Sequence, residues 1–467
     1  MTLDCTIVLL GATGDLSRRK LIPALYQLLK DKKVTRCALV GVSLEPGSAS
    51  DMLQAARSHI DDLDEGVWQE LVDHAAYLAG DFHDAHTYQR LAAMLDDIEK
   101  KHQLGNNRLF YLATMPEHFA TITQQLSAHD IVPHRSKLQP QQGWRRVVYE
   151  KPFGADGMSA DAINAAIHNV FDESQVFRID HYLGKELVGN IAVLRFANRL
   201  FEPLWRAEHI EQVQIIVNEN DGIGSRGRYY DKYGALKDMV QNHLFQLMAL
   251  VGMEPPRTLC GEEIRAAKAA VLSRARIDDV VCGQYEGYQG EQFVRPGSRT
   301  ETFAALKVSI ENERWRGVPF FLKTGKQLYE RHASIHIFFK PATGVSGYRG
   351  SETTNVLTLQ IEPNEGFALQ LNAKMPGSNR QVTPISMSWS HHAVFGYNTP
   401  QSYESLLIDA LRGDQSVFVR FDEIAHSWEL LEQYDCGSVE REIYARGGRG
   451  PASLPSFEKQ HNMEWQR

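Results

Sequence analysis

Cysteine is scarce in this chain. There are five (Cys5, Cys37, Cys260, Cys282 and Cys436), odd in number, widely spaced and with no Cys-x-x-Cys pair. That excludes a disulfide framework, offers no zinc-site spacing, and fits a reducing, cytoplasmic setting. Long apolar runs are also missing. None approaches the roughly 18 residues of a membrane span. Met1-Thr2-Leu3-Asp4-Cys5 carries no basic region and leads straight into a strand, so no signal peptide is expected. There is no excess of positive charge either: a net charge of -8 argues against nucleic acid or an anionic membrane as the main partner. Internal repeats and low-complexity segments are absent. What remains is an ordinary globular composition, 43% apolar and 23% charged over 467 residues, enough for two or three domains with ample core.

The chain opens as strand, glycine turn, helix. Thr6-Ile7-Val8-Leu9-Leu10 has strand length, Gly11-Ala12-Thr13-Gly14 makes a turn, and Leu21, Leu25, Leu28 and Leu29 recur at helical spacing. This is the first unit of a doubly wound nucleotide-binding domain, in which glycines let backbone N–H groups approach a pyrophosphate. The turn is GxxG rather than GxGxxG, so by itself it is equally a turn without a ligand. Pro23 is expected at the helix start or at a kink. Cys37–Val42 reads as a second strand, with Ser43, Leu44 and Glu45 at its end, where an adenosine ribose would sit. Residues 48–78 and 84–103 read as helical. Residues 109–113 and 145–149 are further strands; the latter runs into Glu150-Lys151-Pro152-Phe153-Gly154, which makes Lys151 a site candidate at the ligand edge of a parallel sheet.

The pattern changes after about residue 200. Alternation over 212–218, 335–339 and 357–361, with a Pro363-Asn364-Glu365-Gly366 turn into 367–371, predicts a largely antiparallel sheet. The expected architecture is an α/β Rossmann-like domain over 1–178, followed by an α+β domain over 179–467. Residues 445–457 read as a loose tail. In the second domain Gly234 starts a helix with a core stripe of Leu236, Val240, Leu244, Leu247 and Val251. At about 100° per residue His243 falls beside that stripe, half-buried, and Asp238 on a different face. Alone, His243 reads as a hydrogen-bonded core histidine, and the Lys326/Arg331 pair around a Gly-Lys turn as a solvated loop.

At the expected domain junction stands Arg178-Ile179-Asp180-His181-Tyr182-Leu183-Gly184-Lys185-Glu186. By itself this is either a polar loop or an anion site with a carboxylate beside it, since His, Tyr and Lys are donors that converge on phosphates. Set beside the rest of the chain, it resembles the glucose-6-phosphate dehydrogenase family. The matching segments are Gly11–Leu16 with Arg19-Lys20-Leu21, Glu150–Gly154, Arg178–Glu186, Leu194–Asn198, Tyr229-Tyr230-Asp231, Asp238 with Gln241-Asn242-His243, Gly317–Phe320, Lys323–Lys326, Pro376-Gly377 and Tyr403-Glu404. They span nearly the whole chain in the family's order.

The resemblance implies oxidation of D-glucose 6-phosphate at carbon 1, with hydride transfer to NADP, or to NAD. His243 corresponds to the general base and Asp180 to the carboxylate that orients it. His181, Tyr182 and Lys185 correspond to the phosphate cradle, with Arg331 reaching the same ligand. Glu219 and Asp238 correspond to holders of sugar hydroxyls, Lys326 to a lysine on the substrate, and Lys151 to one at the cofactor–substrate junction. Gly11, Ala12, Thr13, Gly14, Asp15, Leu16 and Ser43 correspond to the cofactor site. No metal is implied, and a homodimer or homotetramer is expected. An NAD-preferring relative acting on another aldose phosphate, and a dinucleotide-binding regulator without catalysis, are the alternatives. There are departures. Leu44 stands where the family often has an arginine for the 2′-phosphate, Met115 where a second proline is usual, Lys237 where arginine is common, and Gly189 where glutamine is.

Overall fold

The structure, a computed structural model, describes residues 4–133, 143–341, 354–378, 381–390, 402–434 and 441–466. Cys436 lies outside them. The chain forms two compact units: Met1–Gly184 with Thr258–Arg265 and Pro400–Ala425, and Lys185–Arg257 with Ala266–Thr399 and His426–Arg467.

The first unit is built on six parallel strands: β1 (Asp4–Leu10), β2 (Arg36–Ser43), β3 (Ala75–Ala79), β4 (Arg108–Leu112), β5 (Arg145–Tyr149) and β6 (Val176–Arg178). Their order is β3-β2-β1-β4-β5-β6, the doubly wound order in which the winding reverses between β1 and β4. The apolar run of β1 is buried almost throughout, as a parallel strand covered on both faces must be. Ile7, Leu9, Leu25, Leu28, Leu39 and Leu109 form the core of one face together with Leu406, Leu407 and Leu411 of the helix Ser402–Arg412. Each fully buried leucine or isoleucine contributes about 2 kcal/mol.

One local reading changes and one holds. Residues 75–79, expected within a helical stretch, form strand β3, parallel to β2 with Tyr77 beside Gly41. Three alanines in five residues carry little strand propensity, so pairing with β2 decides the conformation. Pro23 stands near the start of the helix Ile22–Lys30, as expected, directly after a wide π-helical turn over Ser17–Leu21 that interrupts regular α-helical bonding ahead of the ring.

The second unit holds a nine-stranded sheet. Its strands are β7 (Ile210–Asn218), β8 (Ala275–Tyr285), β9 (Phe303–Ile310), β10 (Phe320–Gly325), β11 (His332–Phe339), β12 (Val356–Glu362), β13 (Gly366–Lys374), β14 (Val382–Ser390) and β15 (Arg441–Tyr444). The order is β14-β13-β12-β11-β7-β10-β9-β8-β15. All neighbours are antiparallel except β7 with β10 and β8 with β15. The expected turn at Pro363–Gly366 joins β12 to β13.

The segment expected as a loose tail is instead packed. Leu454 and Phe457, on the helix Leu454–Gln460, join Met463 and Trp465 in a cluster with Tyr230, Phe303 and Phe321. The Gly-, Pro- and Ser-rich stretch carries two anchors of its own, Leu454 and Phe457, and leads to Met463 and Trp465 beyond it.

Candidate active site

In the first unit the candidate residues gather at the C-terminal edge of the parallel sheet. The glycine turn follows β1 directly. Gly11 has φ +91°, and a Cβ there would lie 2.4 Å from the carbonyl oxygen of Ala113, just past β4. Only glycine lets the turn sit against that strand end, at the point where the winding reverses. The Ser17 hydroxyl donates to the Gly11 carbonyl at 2.8 Å and the Thr13 N–H donates to Ser43 Oγ at 3.1 Å, which ties the turn to the end of β2. The Thr13 hydroxyl donates to Glu45 Oε2 at 2.8 Å and holds that carboxyl below its ordinary range. Asp15 is exposed and pairs with Arg18 at 2.7 Å and Arg19 at 3.6 Å. The N–H groups of Gly11, Ala12, Thr13 and Gly14 all donate within the chain, so the turn offers a dinucleotide pyrophosphate close approach, and the start of the following helix at Asp15 and Leu16 offers the positive end.

Lys151 follows β5 at the same edge, half-buried. Beside it in sequence, Glu150 is buried and accepts a 2.6 Å hydrogen bond from the Tyr111 hydroxyl. Burial pushes Glu150 up to about 7, against the opposing effects of Tyr111 and Lys151. In the nonapeptide Asp180 is buried, and its Oδ1 accepts from the Tyr182 N–H at 2.9 Å. Tyr182 is buried as well, its ring centroid 4.8 Å from that of the half-buried His181.

In the second unit the parallel neighbours β7 and β10 end side by side, Asn218 opposite Gly325. The next residue on each strand is a candidate, Glu219 and Lys326, and the two form an ion pair with Nζ 2.6 Å from Oε2. Lys326 is only 2% exposed and lies over the Tyr230 ring at 5.2 Å, so the solvated Gly-Lys loop expected there is in fact a buried strand end. Strand β11 begins, and β12 ends, at the same edge, with Ala333 opposite Glu362. Glu362 binds two further candidates at once: Arg331 donates to it from Nε at 3.0 Å, and Lys185 forms an ion pair with its other oxygen. Burial would raise the Glu362 carboxyl, but the hydrogen bonds from Arg331 and Lys185 hold it below its usual range. The sequence reading did not include Glu362. Its position, an acid closing an alternating strand immediately before Pro363, was the available signal.

The helix carrying His243 departs most from expectation. Leu236–Leu244 is a π-helix that continues into the α-helix Phe245–Gly252. Its i→i+5 bonding brings residues five apart onto neighbouring positions of one face. Asp238 and His243, assigned to different faces at α-helical spacing, therefore lie on one. His243, expected half-buried, is 0% exposed, and Asp238 4%. The Tyr229 hydroxyl donates to Asp238 Oδ1 at 3.0 Å. Burial, followed by the charge of Asp238, pushes the Tyr229 phenol up, so it stays protonated and fixes the carboxylate as an acceptor.

Comparison with known proteins identifies the scaffold. Residues 8–190 match the description "Glucose-6-phosphate dehydrogenase, NAD binding domain" and residues 192–466 match "Glucose-6-phosphate dehydrogenase, C-terminal domain". The glucose-6-phosphate 1-dehydrogenase of Chlamydia muridarum (strain MoPn / Nigg) is 41% identical over 463 residues, covering 92% of this chain and 90% of the relative. That of Bacillus subtilis (strain 168) is 39% identical, covering 98% and 97%. A solved glucose-6-phosphate dehydrogenase in complex with its substrate glucose-6-phosphate superposes with a TM-score of 0.91 at 32% identity, covering 100% of this chain and 99% of that one. The chain belongs to the glucose-6-phosphate dehydrogenase family.

Proposed function

We propose that this chain oxidises D-glucose 6-phosphate at carbon 1 to 6-phospho-D-glucono-1,5-lactone with NADP, or NAD, as acceptor, the first step of the oxidative pentose phosphate pathway. The observation that carries this is the family match across both domains, joined to a relative solved with that substrate. The bound dinucleotide supplies the carbon that accepts the hydride. The chain's own residues do the rest. His243 removes the proton from the carbon 1 hydroxyl, and Asp180 keeps its imidazole in the required tautomer and stabilises its charged form. His181, Tyr182, Lys185 and Arg331 hold the phosphate, for which charge-assisted donors are suited. Glu362 keeps Lys185 and Arg331 together until the phosphate arrives. Glu219 and Asp238 accept from sugar hydroxyls, Lys326 steadies Glu219, and Lys151 serves both ligands. Gly11 to Leu16 and Ser43 hold the dinucleotide.

The chain works as a cytoplasmic homodimer or homotetramer. Ile385 and Met387 are 46% and 61% exposed on the edge strand β14, an apolar surface that favours self-association. Among the described residues no helix is long and apolar enough to cross a membrane. The test is nicotinamide reduction, followed by absorbance, with glucose 6-phosphate, free glucose and other aldose phosphates in parallel. Turnover confined to glucose 6-phosphate is expected. Preference for another aldose phosphate, or dinucleotide binding without turnover, would overturn the reading.

A further inference from the structure

We propose that Glu45 is the specificity-determining residue of the adenosine pocket: its carboxylate accepts the ribose 2′-hydroxyl of NAD and repels the 2′-phosphate of NADP, so that this chain binds NAD at least as tightly as NADP. The inference rests on the dinucleotide reading of the glycine turn.

Strand β2 pairs in parallel register with β1, Val42 opposite Leu10, so residues 43–45 emerge beside the glycine turn. In a doubly wound domain this is where the adenosine ribose lies, and an acid there accepts from the ribose diol. Glu45 is held in place from two sides. The Thr13 hydroxyl donates to its Oε2 at 2.8 Å, and Tyr77 on β3 donates from its hydroxyl to the Glu45 backbone carbonyl at 2.6 Å. A carboxylate offers about four acceptor sites, so the Thr13 bond leaves capacity for a ribose hydroxyl.

Positive charge to offset the carboxylate is not supplied by its neighbour. Leu44 is apolar and 66% exposed. On the helix after the turn, Arg18 pairs with Asp15 at 2.7 Å, and Arg19 and Lys20 line a cavity with Tyr26, His59 and Glu404 that Glu45 does not border. A phosphate dianion brought to Glu45 meets a like charge whose ordering is already set by Thr13. At contact distance in a solvated pocket that repulsion corresponds to about tenfold in affinity or more.

Calorimetric titration of NAD and of NADP into the full chain and into Glu45→Gln, without sugar, tests this directly. The native chain should bind NADP no more tightly than NAD. Glu45→Gln should lower the Kd ratio of NADP to NAD about tenfold, mainly by tightening NADP, and Leu44→Arg should shift the ratio the same way. Glu45 is exposed and glutamine retains an acceptor for Thr13, so the variant should fold, which circular dichroism verifies. A native chain that binds NADP tenfold tighter than NAD, or a ratio unmoved by Glu45→Gln while both dinucleotides bind, overturns this inference alone. If neither dinucleotide binds the native chain, the dinucleotide reading fails with it.

Discussion

Replacing Glu150 by glutamine isolates the cost of keeping a carboxyl buried beside Lys151. Glu150 is buried, its Oε1 accepts from Tyr111 at 2.6 Å, and burial lifts it from an ordinary 4.5 to about 7. The folded carboxyl thus holds its proton more tightly than the unfolded one. Between about pH 4.5 and 7 the folded state binds more protons, so this group's stabilisation is complete below that window and is lost as pH rises through it. A lift of that size corresponds to about 3 kcal/mol between the two ends. Glutamine cannot ionise but still accepts from Tyr111. Glu150→Gln should therefore gain stability relative to the native chain by up to about 3 kcal/mol between pH 4.5 and pH 8. Urea denaturation of both proteins across that range measures it. The Tyr111→Phe variant adds a control: removing a bond that lowers the carboxyl should move the native transition to higher pH. Parallel stability curves for the native chain and Glu150→Gln would refute the reasoning.

His243→Asn should lose most of kcat with little change in KM for glucose 6-phosphate, because the proton acceptor goes while the binding groups stay; a change in KM alone would contradict its role as base. Lys185→Ala should raise KM for glucose 6-phosphate and erode discrimination against free glucose, and unchanged discrimination would remove Lys185 from the phosphate site. Glu362→Gln releases one acceptor shared by Lys185 and Arg331 and removes a competing anion, so inorganic phosphate should inhibit several-fold more strongly; unchanged inhibition would show that this carboxylate does not contest the site.

Much of the fold was readable because the first strands and their glycine turn follow simple rules. An apolar run, a glycine turn and a helical leucine pattern leave few alternatives to a doubly wound sheet, and alternation after residue 200 signals paired antiparallel strands. What was missed has specific causes. The face shared by Asp238 and His243 depends on a π-helix, whose period a 100° wheel cannot represent. Strand β3 has an alanine-rich sequence and is strand because β2 pairs with it. The tail is fixed by Leu454 and Phe457 within it and by Met463 and Trp465 beyond it, apolar anchors that a Gly-, Pro- and Ser-rich composition outweighs on reading. Lys326 looked solvated because a Gly-Lys dipeptide resembles a turn, whereas the parallel pairing of β7 and β10 buries it beside Glu219. Glu362 was invisible because its importance comes from two cations, one distant in sequence and one on the neighbouring strand end.

The central claim is that hydride leaves carbon 1 of glucose 6-phosphate. Glucose 6-phosphate carrying deuterium at carbon 1, incubated with the chain and the dinucleotide it binds more tightly, tests it most directly by mass spectrometry of the reduced dinucleotide. The account predicts one deuterium transferred to the nicotinamide ring for each lactone formed. Deuterium released to water, or reduction without label, would contradict it.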